Sequence, residues 1–114
     1  MTMGETKEFT WDYSEYSDIF NIHRKGVLVK GSAELGDFSV DFDAQGNIVG
    51  LEIMNVVDFL QESHVTLQDL HELTSVELVV KQGRAEVTYI WVKLMVGEHK
   101  EYVLSVPAPV VEVI

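Results

Sequence analysis

The stretch R-A-E-V-T-Y-I-W-V-K-L-M-V, Arg84 to Val96, constrains the fold of this chain more than any other. It is rich in β-branched and aromatic residues, and a period of two places Val87, Tyr89, Trp91 and Met95 on one face and Ile90, Val92, Leu94 and Val96 on the other. A strand with large apolar side chains on both faces does not stand in a single exposed layer. Short helices, a second layer of sheet or another subunit must cover it. With 114 residues, 46% of them hydrophobic, the chain has material for one core and too little for two of ordinary size. The expectation is therefore a single domain over residues 1–114, with homo-oligomerisation, a dimer favoured, as one way of covering the second face.

The same alternation recurs upstream. D-I-F-N-I-H-R sets Phe20 and Ile22 opposite Asn21 and His23, and L-G-D-F-S-V-D-F-D sets Phe38, Val40 and Phe42 opposite Ser39, Asp41 and Asp43. Between them, Val27 to Leu35 is β-branched at its start and interrupted by Gly31, which predicts a strand with a bulge or a close backbone approach, ended by Gly26 and Gly36. N-I-V-G-L-E-I-M predicts another strand, with Val49, Leu51 and Ile53 on one face. Asn55 then reads as the N-cap of a short helix over Val56 to Glu62, with Asp58 in its first turn. Thr66 repeats the device, with Asp69 at the third helical position and Leu67, Leu70 and Leu73 at helical spacing. Downstream, Val76, Leu78 and Val80 alternate, Gln82 and Gly83 mark a turn, G-E-H-K marks another, and E-Y-V-L-S-V precedes the closing P-A-P. The fold class is mainly β or α+β: a twisted antiparallel sheet of about six to seven strands in a meander, with one or two short helices near residues 56–73.

One stretch spells chemistry. Asp41 to Glu52, D-F-D-A-Q-G-N-I-V-G-L-E, carries Asp at positions one and three, Gly at six and Glu at twelve of a calcium-binding EF-hand loop. Such a loop needs a helix on each side. Here the preceding residues alternate with period two around Gly31 and Gly36, and the first helix signal after it is Asn55. The hairpin reading uses the same letters: Asp43 accepts hydrogen bonds at the first position of a type I turn, Ala44 and Gln45 form its centre, and Gly46 supplies the positive φ. No metal site is assigned, and weak cation binding by Asp41, Asp43 and Glu52 is left open.

The other clusters are weighed the same way. Asp12, Glu15 and Asp18 in W-D-Y-S-E-Y-S-D offer carboxylates that a hairpin can gather for acid or base work, and Trp11, Tyr13 and Tyr16 offer a pocket lining; turn acids and core aromatics explain them more simply. His64 and His71, with Asp69 and Glu72 nearby, lack the i, i+4 pairing of a helical metal site. His23 falls on the solvent side of a strand and His99 in a turn. No nucleophile elbow, phosphate loop or dinucleotide fingerprint occurs. Catalytic, cofactor and metal residues are accordingly assigned as none, and an enzyme is disfavoured.

Charge narrows the partners. Nineteen acidic side chains against eight basic ones give a formal charge of −11, which repels phosphate backbones and suits a very soluble protein, a chain from a salt-rich cytoplasm or the complement of a basic partner; a cytoplasmic chain is the simpler reading of its lack of cysteine. The polar start M-T-M-G-E-T-K-E and the lack of long apolar runs predict no signal peptide and no membrane span. The absence of cysteine excludes disulfides, thiol nucleophiles and thiolate metal sites.

The order W-D-Y-S-E-Y-S-D-I-F-N-I followed by V-D-F-D-A-Q-G-N-I-V-G-L-E-I-M-N resembles the small prokaryotic family Domain of Unknown Function 2283, through Asp12, Asp18, Phe20, Ile22, Asp41, Asp43, Gly46, Val49, Gly50, Glu52, Ile53 and Asn55. The resemblance covers about Trp11 to Leu60; the segment between Arg24 and Phe38 is longer than a minimal member needs, and the chain from Thr66 onward extends past the usual short domain. It implies an antiparallel sheet with a short helix after the hairpin, and no reaction, cofactor or site residue. The leading expectation is a non-enzymatic, self-associating binding or scaffold module. The alternatives are an antitoxin-like acidic partner of a basic protein, and a carboxylate-based enzyme or ligand binder using Asp12, Asp18 and Glu52.

Overall fold

A computed structural model describes residues 2–82 and 88–107. Strands β1 (Thr2–Glu5), β2 (Phe9–Ser14) and β3 (Ile19–Arg24) open the chain, followed by β4 (Gly31–Leu35), β5 (Phe38–Phe42) and β6 (Ile48–Met54). Two short helices, α1 (Val56–Gln61) and α2 (Leu67–His71), lead to β7 (Leu73–Gln82), β8 (Thr88–Val96) and β9 (Lys100–Pro107). The expected turn at Gly83, the strand residues 84–87 and the P-A-P beyond Pro107 lie outside the described residues.

The antiparallel, mainly β class holds, and its strands divide into two sheets of order β1-β2-β3-β6-β5-β4 and β7-β8-β9. The larger sheet departs from a meander where β3 pairs with β6, so the β4–β5 hairpin is appended outside β6. Val27 to Lys30 stay out of β4, which starts at Gly31.

Period two decides what each sheet hides. Phe9, Trp11, Tyr13, Phe20, Ile22, Val40, Leu51 and Ile53 point inward from the large sheet and meet Val76, Leu78, Ile90, Val92, Leu94, Leu104 and Val106 of the small one in one apolar cluster. A second layer thus covers one face of the long two-faced strand. Val56, Leu60 and Leu70 of the helices close the cluster against Phe20, Ile53, Val92, Leu94 and Leu104, leaving a void of about 10 Å³. That space is all apolar and at the lower limit for a water molecule. Gly4 is required where β1 crosses the core: a Cβ there would stand 2.4 Å from Trp11 Cζ2.

The connections follow the sequence with one correction. Gly46 N–H donates to the Asp43 carbonyl at 3.1 Å, and Gly46 has φ 82°, the expected type I turn with its bulge residue. Thr66 and Asp69 form a reciprocal capping box on α2. Asn55, in contrast, does not cap α1 with its side chain: it sits in the left-handed region at φ 52° and its Nδ2 donates to Asp37 Oδ1 at 3.1 Å. Asp18 caps the helix from another turn, its carbonyl accepting from Val56 N–H and its Oδ1 from Val57 N–H, both at 3.3 Å.

Candidate functional site

The carboxylates singled out by sequence are placed apart. Asp12 and Glu52 lie on the outer face of the large sheet in one cross-strand row, with Asn21 between them, and Asn21 Nδ2 donates to Asp12 Oδ1 at 3.2 Å. Their strands are two apart, roughly 10 Å. Asp18 stands at the end of the sheet in the β2–β3 turn, occupied by the α1 cap and by Tyr13, whose hydroxyl donates to its Oδ1 at 3.0 Å. The three acids therefore do not assemble one site. Burial, then the Asp18 hydrogen bond and the charges of Asp18 and Glu15, push the Tyr13 hydroxyl up to about 12.

Asp41 and Asp43 are also engaged locally. Asp41 Oδ1 accepts from Ser32 Oγ at 2.6 Å, and the side chains of Asp41 and His23 lie over Gly50, where a Cβ would be 2.8 Å from Asp41 Oδ2. Desolvation pushes the Asp43 carboxyl up, but hydrogen bonds from the backbone and side chain of Asn47 and from the N–H groups of Gln45 and Gly46 outweigh it and hold it below the usual carboxylate range. The residues of the EF-hand spelling thus build a hairpin. Trp11 and Tyr13 are core residues, whereas Tyr16 is fully exposed.

Two polar clusters carry contacts between residues far apart in the chain, which no local pattern of the sequence signals. Asp69, buried in α2, accepts from Thr66 N–H at 3.0 Å, from Tyr102 Oη at 3.0 Å and from Lys100 Nζ at 3.3 Å, so it fastens α2 to β9. Desolvation pushes its carboxyl up, and the bonds from Thr66, Tyr102 and Lys100 bring it below the ordinary range. His71 joins three elements: Nδ1 lies 2.5 Å from Thr2 Oγ1, Nε2 contacts the Glu15 carboxylate, and the ring meets Tyr13 edge-on at 6.2 Å. Hydroxyl, imidazole and carboxylate in that order are the parts of a nucleophile relay. None of them lines a described cleft, however, and the contacts pin β1 and the β2–β3 turn to α2. His64 lies elsewhere, in the turn after α1, and among the described residues no three metal-ligating side chains gather.

What stands out is the outer face of β7–β9. Val79, Tyr89, Trp91, Met95 and Val103 are turned away from the core by alternation, with Tyr89 46%, Trp91 38% and Val103 53% exposed. Lys81 Nζ lies 5.8 Å from the centre of the Trp91 ring. The outer face of the large sheet, by comparison, presents Glu5, Asp12, Glu34, Asp41 and Glu52. The large sheet shows water mainly carboxylates with Met3 exposed on its edge strand, and the small sheet shows it a tryptophan.

These features define a two-layer antiparallel β protein whose motif acids serve turns and caps. The pattern of a family of proteins of unknown function, DUF2283, matches residues 11–56, from β2 to the start of α1, about two fifths of the chain. It is 30% identical over 71 residues to an uncharacterized protein of Methanocaldococcus jannaschii, a match spanning 61% of this chain and 61% of that relative. No solved structure matches the chain. Among the described residues, no helix is long and apolar enough to cross a membrane.

Proposed function

We propose that this chain is a non-enzymatic, self-associating binding module that works through the outer face of β7–β9. The observation that carries the reading is the exposed apolar group around Trp91, set in a face whose ionised side chains, among the described residues, are Glu77 and Glu101 against Lys81 and Lys93. Those charges cancel in a chain of formal charge −11, so this is a place where two copies approach without the repulsion their other surfaces impose.

Size sets the expected strength. Three strands at about 4.8 Å spacing and nine residues at about 3.4 Å rise give a face of roughly 400 Å², about half of a standard contribution per partner. Association in the micromolar range or weaker follows. Sedimentation velocity between roughly 1 µM and 1 mM should show a concentration-dependent shift from monomer to dimer that Trp91→Glu abolishes. A strict monomer throughout that range would refute the reading.

A further inference from the structure

Resting on that reading, we infer that the occupant of the face is a second copy of this chain, related by a two-fold axis that runs across the strands along the row Val79–Trp91–Ser105. That row is fixed by the strand register, in which Val79 pairs with Trp91 and Trp91 with Ser105. On one side of it stand Lys81 and Tyr89, and on the other stand Glu77, Lys93 and Val103.

An axis along the row lays β7 on the partner's β7 and exchanges the two flanking rows. Lys81 then faces the partner's Glu77, and Tyr89 faces the partner's Lys93, each contact occurring twice because the interface is isologous. Trp91 meets the partner's Trp91 on the axis, where a central aromatic anchor belongs. Facing sheets stand about 10 Å apart, a gap that an extended lysine and an extended glutamate span together. The other in-plane choice, an axis parallel to β8, lays β7 on the partner's β9. It sets Glu77 over the partner's Val103 and Ser75 over the partner's Glu101, and leaves Lys81 without an acid. The charge pattern therefore selects the axis across the strands.

Charge exchange tests it. Lys81→Glu places two acids against two acids, and Glu77→Lys two lysines against two lysines, so each variant alone should dimerise about tenfold or more weakly than the parent. An equimolar mixture should recover parent-like affinity as a heterodimer, seen by native mass spectrometry, because in it every exchanged residue faces its opposite. The double variant carrying both changes should recover as a homodimer. If Trp91→Glu abolishes a dimer that both single charge variants leave intact, or if the mixture stays monomeric, the axis is wrong while the docking face stands. If Trp91→Glu leaves the dimer unchanged, the face itself falls. Circular dichroism matching the parent confirms that each variant is folded.

Discussion

Replacing Asp69 should show how much of the fold depends on one buried carboxylate. Asp69→Ala removes the return half of the α2 capping box, leaving the Thr66 N–H without its acceptor at about 1 kcal/mol, and leaves the part-buried Tyr102 hydroxyl without its charged acceptor, worth roughly 1.5–3 kcal/mol. The Lys100 contact adds little, since that ammonium is 56% exposed. The sum is about 3 kcal/mol. An unfolding entropy of about 2.1 cal/mol/K per residue over 114 residues turns this into a fall in Tm of roughly 12 °C. Asp69→Asn keeps one carbonyl acceptor but sets an amide toward the Lys100 ammonium, so it should lose about half as much. Folding lowers this carboxyl below its unfolded value, so its contribution is present above the ordinary carboxylate range and is lost as pH falls through the folded value. Thermal melts followed by circular dichroism at neutral and acidic pH should therefore show parent and Asp69→Ala converging in acid. A neutral-pH loss below about 1 kcal/mol, or a gap that widens in acid, would refute the account.

Three further outcomes are expected. Gly4→Ala drives a methyl group into the Trp11 ring, which is 4% exposed and held by the core, so it should cost about 1–3 kcal/mol or detach β1; an unchanged Tm together with unchanged β1 amide exchange would contradict the packing. Asp18→Ala forces a β-carbon residue without a side-chain acceptor into φ 54° and uncaps α1, lowering stability by about 2 kcal/mol, whereas Asp18→Asn should retain most of it; equal melting of the two variants would count against the cap. Of the four tyrosines, Tyr13 should ionise late, near 12, in an alkaline titration read at the phenolate absorbance, and Asp18→Asn should bring it down part of the way. Because folding raises this group, its stabilisation is complete below the unfolded tyrosine range and is lost as pH rises through 12.

What was legible in the sequence is what local pattern encodes. Phe20, Ile22, Phe38, Val40, Leu51 and Ile53 announce buried strand faces, D-A-Q-G announces its turn, and T-L-Q-D announces its capping box, because each device is complete within a few residues. The N-terminal strand T-M-G-E was not announced, since it is polar and ordered by pairing with β2. Asn55 spelled an N-cap, yet the cap is Asp18, 39 residues from the Val57 amide it holds. The His71 cluster joins residues 56 and 69 apart, and the Asp69 cluster joins residues 31 and 33 apart. Period two says that a strand has two faces to cover and does not say which sheet does so. The two-faced strand called for a cover by helices, a second layer or another subunit without choosing among them, and its other face, left to water, could be judged only once the register placed Glu77, Lys81 and Lys93 around Trp91.

The family segment and the proposed working face are different parts of this molecule. Residues 11–56 contribute Trp11, Tyr13, Phe20, Ile22, Val40, Leu51 and Ile53 to the core, and at roughly 2 kcal/mol each their burial amounts to about as much as the whole net stability of a domain. That segment needs a cover. Here the cover is β7–β9, which lies entirely outside the matched residues, while the motif acids within them are spent on a hairpin, a helix cap and a cross-strand pair. The matched residues thus include a sheet face that is apolar and none of the three strands that pack on it. The apolar outer face of β7–β9 lies outside the residues that the family pattern matches, so the proposed docking face is tested at Trp91 and not at the acids of the hairpin.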